Sequence, residues 1–208
     1  QNRSRLDKTN NMSALGSTIL KGTLWIFGGR IARRVLGFFV AIIMARLLMP
    51  EDFGLVVTMS VFTGVAGYFA AGGMGNALVR AKKIIEDDYS TVFLAQLGIC
   101  SAIYCAFYYI SPYFAQWFDE NRYEFLLQVS ALTFLIRPFN NVASSKISRQ
   151  MRFRALSTIK IVTTITSSSC ALLLAYNGYG PWSLILSGLV GALVSMPLMM
   201  FTAKWYPK

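Results

Sequence analysis

Long apolar stretches separated by short polar links occupy most of the chain. Six of them are long enough to cross about 30 Å of hydrocarbon, which takes roughly 20 helical residues. They cover residues 24–49, 53–79, 90–118, 125–145, 155–176 and 179–203. Backbone groups have no water partners in lipid, so each stretch is predicted to be helical, whereas a β-barrel would show short alternating segments. The pattern predicts an all-α integral membrane protein, a six-helix transmembrane bundle.

The links between the stretches have the composition of turns. Residues 49–52, Met-Pro-Glu-Asp, end the first stretch and cap the second, and residues 177–181, Asn-Gly-Tyr-Gly-Pro, form a hairpin between the last two. Neighbouring helices are therefore predicted to be antiparallel. The domains expected are a cytoplasmic N-terminal segment over residues 1–16 and a six-helix lobe over residues 17–204.

The basic residues predict the direction of the bundle. Near the span ends, fourteen lysines and arginines, Lys160 among them, flank one side, while only Arg46 and Arg122 flank the other. The links on the poorer side, residues 50–52 and 118–124, are net acidic. Cytoplasmic loops of membrane proteins carry the excess of lysine and arginine. Both termini are therefore predicted to be cytoplasmic.

The overall composition agrees with a membrane protein and excludes several functions. The chain is 55% hydrophobic and 14% charged, with a mean hydropathy of +0.49, too high for a water-soluble domain. A formal charge of +11 would suggest nucleic acid in a soluble protein, but the positions of these charges argue against that partner. Histidine is absent and no carboxylates cluster at ligand spacing, so neither a zinc site nor a histidine-based triad can form. No enzymatic activity, metal or cofactor is expected.

The first apolar stretch is preceded by arginines, as in a twin-arginine signal. Arg33 and Arg34 stand before an apolar run, but no small-residue cleavage site follows and five more stretches do. Residues 35–49 alone number 15 and reach about 22 Å as a helix, which is too short to span. The first helix must therefore include the arginines.

Two interpretations of these arginines remain open. Long side chains about one turn inside the membrane edge can extend back to the headgroups. Alternatively, Arg30, Arg33 and Arg34 share a helical face with the small residues Gly37 and Ala41, which favours a face turned toward a cavity.

Arg137 lies near the middle of the fourth stretch, where an arginine costs about 2.5 to 3.5 kcal/mol. Asn141, Ser144 and Ser148 continue its helical face as a polar stripe. Arg137 is either a structural arginine bonded to bundle carbonyls or part of a water-filled, cationic lumen. Since no acidic residue lies within the six stretches, such a lumen is predicted to take an anion, and the planar guanidinium suits phosphate. The candidate substrate-binding residues are Arg30, Arg33, Arg34, Arg137, Asn141 and Ser144.

Small residues within the stretches predict helix contacts. Residues 72–75, Gly-Gly-Met-Gly, lack the lysine and the preceding strand of a phosphate-binding loop and are interpreted as packing or gating glycines. Ser183, Ser187, Gly191 and Ser195 recur at every fourth position, and residues 163–169 are similarly rich in serine and threonine. Both patterns are predicted to form helix–helix contacts.

Three segments closely resemble a known transporter family. Residues 45–80, ARLLMPEDFGLVVTMSVFTGVAGYFAAGGMGNALVR, resemble the start of the polysaccharide transporter family, the bacterial flippases of undecaprenyl-pyrophosphate-linked oligosaccharides. The similarity continues through residues 137–155 and 177–194. The wider superfamily, called MATE/MOP, also includes multidrug and toxin extrusion antiporters and the lipid II flippase. The resemblance implies a lobe of a MATE/MOP-type flippase that moves its substrate to the periplasmic leaflet by alternating access.

The resemblance also implies a location, a cavity and partners. It places the chain in the bacterial inner membrane, with arginines of the first helix, here Arg30, Arg33 and Arg34, in a cationic cavity. The implied substrates are lipid-linked units of O-antigen, colanic acid or teichuronic acid. The implied partners are undecaprenyl pyrophosphate, membrane lipid, a second transporter lobe, and polysaccharide polymerase and export proteins. Family members have two six-helix lobes in a longer chain, so this sequence is expected to be the N-terminal lobe and a fragment.

Three alternatives compete with this interpretation. A cation-coupled multidrug antiporter of the same superfamily should carry an acidic residue in its spans. A non-transporting scaffold subunit of a polysaccharide export complex needs no lumen, and the depth of Arg137 argues against it. A membrane transferase would need carboxylates near the interface, and residues 86–88, Glu-Asp-Asp, are interpreted instead as a helix cap.

Overall fold

A computed structural model describes residues 25, 27–80 and 86–204 of the chain. These described residues form seven helices and no strand. The helices are α1 (27–47), α2 (Pro50–Ala71), α3 (Met74–Arg80), α4 (Glu86–Trp117), α5 (Arg122–Arg149), α6 (Phe153–Tyr176) and α7 (Trp182–Ala203). The prediction of an all-α bundle is confirmed. The proposed cytoplasmic segment, residues 1–16, lies outside the described residues.

Four segments of the described chain are long and apolar enough to cross a membrane. They are Pro50–Arg80, Asp87–Trp117, Phe153–Tyr176 and Trp182–Ala203. The chain is therefore a multi-pass membrane protein. α1 and α5 correspond to the other two predicted spans, and their arginines and other polar residues lower their hydropathy. Spanning by these two helices stays a prediction.

α5 is the central helix of the bundle. It packs along α4 and α7 and also contacts α2, α3 and α6. Leu126, Leu127, Phe134 and Ile147 are fully buried in these contacts. Because neighbouring helices surround α5, its polar side chains meet protein or internal space instead of lipid. This position explains how a helix with an arginine near its middle fits in the bundle.

α1 packs against α6. Towards the C-terminal end of α1, Met44 and Leu48 form an apolar cluster with Ala171 and Ala175. Towards its N-terminal end, Gly29 lies directly against the side chain of Ser157, whose Oγ donates a hydrogen bond to the carbonyl of Trp25 at 3.1 Å. The absence of a side chain at residue 29 lets the two helices approach closely.

We expect Gly29→Ala to destabilise the α1–α6 contact. A Cβ at this position would overlap Ser157 Oγ and stand 3.3 Å from Ser157 Cβ, so either the hydroxyl rotates away from the Trp25 carbonyl or the helices separate. Overpacking of this kind costs about 1 to 3 kcal/mol. The thermal unfolding temperature of the purified protein in detergent should fall, while Gly37→Ala, at a position with open space around it, should not lower it. Equal unfolding temperatures for the two variants would show that the helices are not in contact there.

A two-residue turn separates α2 from α3. Gly72 and Gly73 have φ of 52° and 67°, in the left-handed region that glycine adopts without strain. At the end of α2, the carbonyl of Ala71 accepts a hydrogen bond from Gln96 Nε2 of α4 at 3.2 Å. The second predicted span is therefore interrupted at the glycines singled out in the sequence, and their role in gating stays a prediction.

The links predicted to lie outside the cell meet at one end of the bundle. Arg122 Nη1 lies 3.1 Å from Asp52 Oδ1 and its Nε lies 2.9 Å from Glu120 Oε1. Asp52 Oδ2 also lies 3.1 Å from where a Cβ of Gly180 would be. The links after α1, α4 and α6 are thus neighbours, as antiparallel packing requires.

Arginines bind helix ends at the opposite end of the bundle. Arg149 Nη1 donates to the carbonyl of Leu78 at 3.0 Å, and Arg152 Nη1 donates to the carbonyl of Thr202 at 2.9 Å. These carbonyls lie in the last turns of α3 and α7, where the helix dipole is negative and attracts cations.

Cysteine labelling can assign the two ends to the two sides of the membrane. In a chain whose own three cysteines are replaced by alanine, we expect Asn121→Cys to react with an impermeant maleimide added to intact cells. Gln150→Cys, at the basic end, should react only after the membrane is opened. Both residues are exposed. The reverse labelling would invert the predicted topology.

The small-residue stripe of α7 forms a helix contact, as the sequence predicts. Ser183, Ser187, Gly191 and Ser195 are all buried. A Cβ at Gly191 would lie 3.1 Å from the Cβ of Ser167 on α6. The serine- and threonine-rich run of α6 thus meets the stripe of α7.

Candidate functional site

A pocket of about 340 Å³ lies between α2, α5 and α7. Its polar lining comes from two helices and consists of Ser60 and Thr63 of α2 and Ser130, Thr133 and Arg137 of α5. Apolar side chains and glycines complete the walls. Arg137 therefore faces an open cleft near the middle of the central helix. We call this space the Arg137 pocket.

The guanidinium of Arg137 rests between an aromatic ring and a helix backbone. Its Cζ lies 5.0 Å from the centre of the Phe134 ring, one turn earlier on α5. On α2, a Cβ at Gly67 would lie 3.0 Å from Nη2 and 3.1 Å from Cζ. Glycine at residue 67 therefore makes the space that the guanidinium occupies.

Arg137 has no acidic or carbonyl partner in the part of the chain that the structure describes. The ion pairs found there belong to Arg122, and no described residue accepts a hydrogen bond from Arg137. Its unbonded nitrogens therefore all have some solvent-accessible surface. The geometry does not match a structural arginine bonded to bundle carbonyls. Its N–H groups are instead accessible from the pocket.

The hydroxyl groups of the Arg137 pocket are oriented as acceptors. Each donates its hydrogen to a carbonyl of its own helix: Ser60 to Val57, Thr63 to Met59, Ser130 to Leu127 and Thr133 to Ser130. A hydroxyl that donates one hydrogen still has lone pairs that accept. The pocket thus offers a cation for an anionic group and oxygen acceptors for hydroxyl or amide groups.

A second pocket, of about 310 Å³, lies between α1, α3, α5 and α6. Its polar lining consists of Arg30, Arg33, Asn76, Ser148, Ser157 and Lys160. Arg30, Arg33 and Lys160 line the same space, and no described carboxylate pairs with any of the three. Three cations without an acidic partner attract an anion. We call this space the tri-cation pocket.

The structure divides the predicted lumen residues between these pockets. Arg30 and Arg33 lie together, whereas Arg137 is separated from Ser148 of the tri-cation pocket by about 16 Å along α5. Arg34 is exposed and lines neither pocket, and the predicted small-residue face at Gly37 is exposed too.

Asn141 and Ser144 also line neither pocket. They lie on α5 between the two, where the Ser144 Oγ donates to the carbonyl of Asn141 at 3.2 Å. Their predicted stripe begins at Arg137 and ends at Ser148, so it connects one pocket with the other along a single helix.

The sequence analysis missed several polar residues that line the pockets. Ser130 and Thr133 precede Arg137 on α5 by seven and four positions, a spacing that puts all three on one helical face. The same periodicity that found Asn141 and Ser144 downstream would have found them upstream. Asn76 and Lys160 of the tri-cation pocket carry no comparable pattern, because helix packing alone brings them together.

Comparison with known proteins assigns the family. The chain matches the polysaccharide biosynthesis protein family over residues 43–208. It belongs to this family. The resemblance found in the sequence is thereby confirmed, and this family member is a multi-pass membrane protein. No solved structure matches it.

Several curated relatives of this polysaccharide biosynthesis protein are bacterial. It is 25% identical to the succinoglycan biosynthesis transport protein ExoT of Rhizobium meliloti, over 92% of the chain and 39% of that relative. It is 18% identical to the lipopolysaccharide biosynthesis protein WzxC of Escherichia coli, over 88% of the chain and 36% of that relative. It is 26% identical to the teichuronic acid biosynthesis protein TuaB of Bacillus subtilis, over 46% of the chain and 20% of that relative. The chain thus spans between a fifth and two fifths of the length of these relatives.

Proposed function

We propose that the chain forms part of a bacterial inner-membrane transporter that flips undecaprenyl-pyrophosphate-linked oligosaccharides from the cytoplasmic to the periplasmic leaflet. The observation that carries this proposal is the unpaired guanidinium of Arg137, which faces a polar pocket from the middle of the central helix. An arginine at that depth is costly unless water or an anion meets it. A diphosphate supplies two adjacent charges, and the sugar hydroxyls can donate to the hydroxyl oxygens of the same pocket.

In this proposal the two pockets bind the diphosphate one after the other. Arg30, Arg33 and Lys160 lie at the predicted cytoplasmic end, where they receive the diphosphate from the inner leaflet. Arg137 then holds it farther along the bundle. Asn141 and Ser144 lie on α5 between the pockets and line the path, and the exposed Arg34 lies at the rim.

The proposed transport step makes and breaks no covalent bond. Alternating access requires two bundles that rock against each other around a site between them. We propose that a second transporter lobe supplies the other bundle. A polysaccharide polymerase and export proteins are proposed to use the flipped unit on the periplasmic side.

Disruption of the gene tests this proposal. Without the protein, lipid-linked repeat units should accumulate while surface polysaccharide is lost. In spheroplasts, a lectin that recognises the repeat unit should bind the lipid-linked sugar only in cells that contain the protein. If the sugar reaches the outer leaflet equally well in both strains, the flippase assignment is wrong.

The same strains distinguish the multidrug antiporter. Loss of an antiporter should increase sensitivity to cationic drugs and leave the surface polysaccharide unchanged. That result would replace the proposed function with the antiporter of the same superfamily.

A further inference from the structure

A shallow pocket of about 500 Å³ lies at the start of α6, on the side of the helix away from the tri-cation pocket. Arg152, Arg154, Ala155, Thr158 and Ile159 line it. We call it the α6 surface pocket. Two arginines thus share one depression with small and apolar side chains.

Contacts with the bundle fix both arginines of the α6 surface pocket. Arg152 Nη1 donates to the carbonyl of Thr202 on α7 at 2.9 Å. Arg154 Cζ lies 4.8 Å from the centre of the Trp25 ring, in a cation–π contact. Both arginines are exposed, and neither forms an ion pair with an acidic residue in the described chain. Each guanidinium has five N–H donors, so most of them remain available to a ligand.

The position of the pocket along α6 corresponds to the membrane surface. The membrane-capable segment Phe153–Tyr176 begins beside it. Val162 and Ile165 follow Thr158 on the same face, with exposed fractions of 43% and 49%. This exposed apolar face suits hydrocarbon, which places Arg154 and the adjacent tryptophan at headgroup level, where such residues are enriched.

A second shallow pocket adjoins the stacked pair of Arg154 and Trp25. It has a volume of about 400 Å³ and is lined by Trp25, Gly28, Gly29 and Ile161. Its lining contains no charged side chain. An apolar groove that could take an acyl chain therefore lies beside the arginines.

We infer that the α6 surface pocket binds an anionic phospholipid. The lipid phosphate lies between Arg152 and Arg154, and its acyl chains follow the apolar face from Thr158 toward Val162 and Ile165. A zwitterionic lipid also carries a cationic headgroup, which the two arginines repel and which no carboxylate among the pocket's lining residues attracts. A soluble anion gains nothing from the apolar half of the site. This inference does not depend on the proposed transport function.

Native mass spectrometry of the purified chain in detergent tests the lipid site. Phosphatidylglycerol should bind the wild-type chain at least about tenfold more tightly than it binds the double variant Arg152→Gln/Arg154→Gln, because two charge-assisted contacts are lost. Phosphatidylcholine should bind both chains weakly and equally. Arg46→Gln removes an exposed arginine of α1 outside this pocket and should keep wild-type affinity for phosphatidylglycerol.

A filling variant separates loss of the site from loss of folding. Thr158→Trp keeps both arginines but occupies the pocket from an exposed position, so it should also weaken phosphatidylglycerol binding about tenfold. Helix content measured by circular dichroism should remain that of the wild type in all variants.

Three results would each overturn the lipid assignment. They are unchanged phosphatidylglycerol binding in folded Arg152→Gln/Arg154→Gln or Thr158→Trp, equal affinity of the wild-type chain for the two lipids, and displacement of phosphatidylglycerol by an equal concentration of inorganic phosphate. The last result would identify a site for soluble anions.

Discussion

Replacing Arg137 by glutamine should reduce polysaccharide export by at least about tenfold while the protein keeps its normal abundance. The variant loses the charge and the planar fork that bind a diphosphate. A hydrogen bond to a charged group contributes about 1.5 to 3 kcal/mol, which corresponds to about a tenfold to hundredfold change in affinity. Folding should persist, because Arg137 has no ion pair with the described part of the chain to lose. The measurement is surface polysaccharide divided by the amount of protein in the membrane.

Two further variants make the Arg137 result specific. Arg137→Lys keeps the charge but loses the bidentate geometry, so export should fall between the wild type and the glutamine variant. Arg122→Gln removes an arginine that lies outside both pockets, in an exposed ion-pair cluster, and should export normally. Normal export by Arg137→Gln at normal abundance would exclude the Arg137 pocket as the anion site.

Arg33→Gln distinguishes binding from membrane anchoring on the first helix. A residue that only reaches the headgroups should affect insertion and abundance, leaving export per molecule unchanged. A residue of the tri-cation pocket should instead lower export per molecule at normal abundance. The latter is expected, because Arg33 lines that pocket together with Arg30 and Lys160.

Gly67→Ala should reduce export about tenfold, although it replaces no charged residue. A Cβ at Gly67 would overlap Nη1 of Arg137, so the guanidinium must leave its place over Phe134. The end of a long side chain moves easily, and alanine is a better helix former than glycine, so stability should not fall. Export per molecule and the thermal unfolding temperature, measured on the same variant, check both expectations.

Gly54→Ala is the matched control for this variant. It makes the same substitution in the same helix, at a position with no atom near the added Cβ. It should export as well as the wild type. If Gly67→Ala also exports as well as the wild type, the position of the Arg137 guanidinium over Phe134 is not required for transport.

Local patterns predicted the helices and several of their contacts. The turn residues at 177–181 stand where α6 ends and α7 begins, and the serine and glycine stripe of α7 is buried against α6. Such features depend on residues close in the sequence. The sequence also predicted the depth of Arg137, because counting residues gives the position of a charge within an apolar stretch.

The division into two pockets could not be predicted in the same way. Arg33 and Lys160 are far apart in the sequence, and only the close approach of α1 and α6 at Gly29 brings them to one space. Lys160 looked like a flanking cytoplasmic charge because the sequence does not show which way a side chain turns around its helix. Residues of different helices are brought together by helix packing. A single sequence contains no local pattern that shows which of them meet.

The turn at Gly72 and Gly73 has a mechanical consequence for the two pockets. α2, before the turn, forms a wall of the Arg137 pocket, and α3, after it, contributes Asn76 to the tri-cation pocket. These two helices are thus separate, and they are joined by two residues that lie outside both of them. We expect rotation at this turn to widen one pocket while the other keeps its shape, and the backbone hydrogen bonds that would limit it are Gly72 N–H to the Tyr68 carbonyl and Ala77 N–H to the Gly73 carbonyl. If the predicted gating role of these glycines holds, the two pockets open in turn, one on each side of the turn.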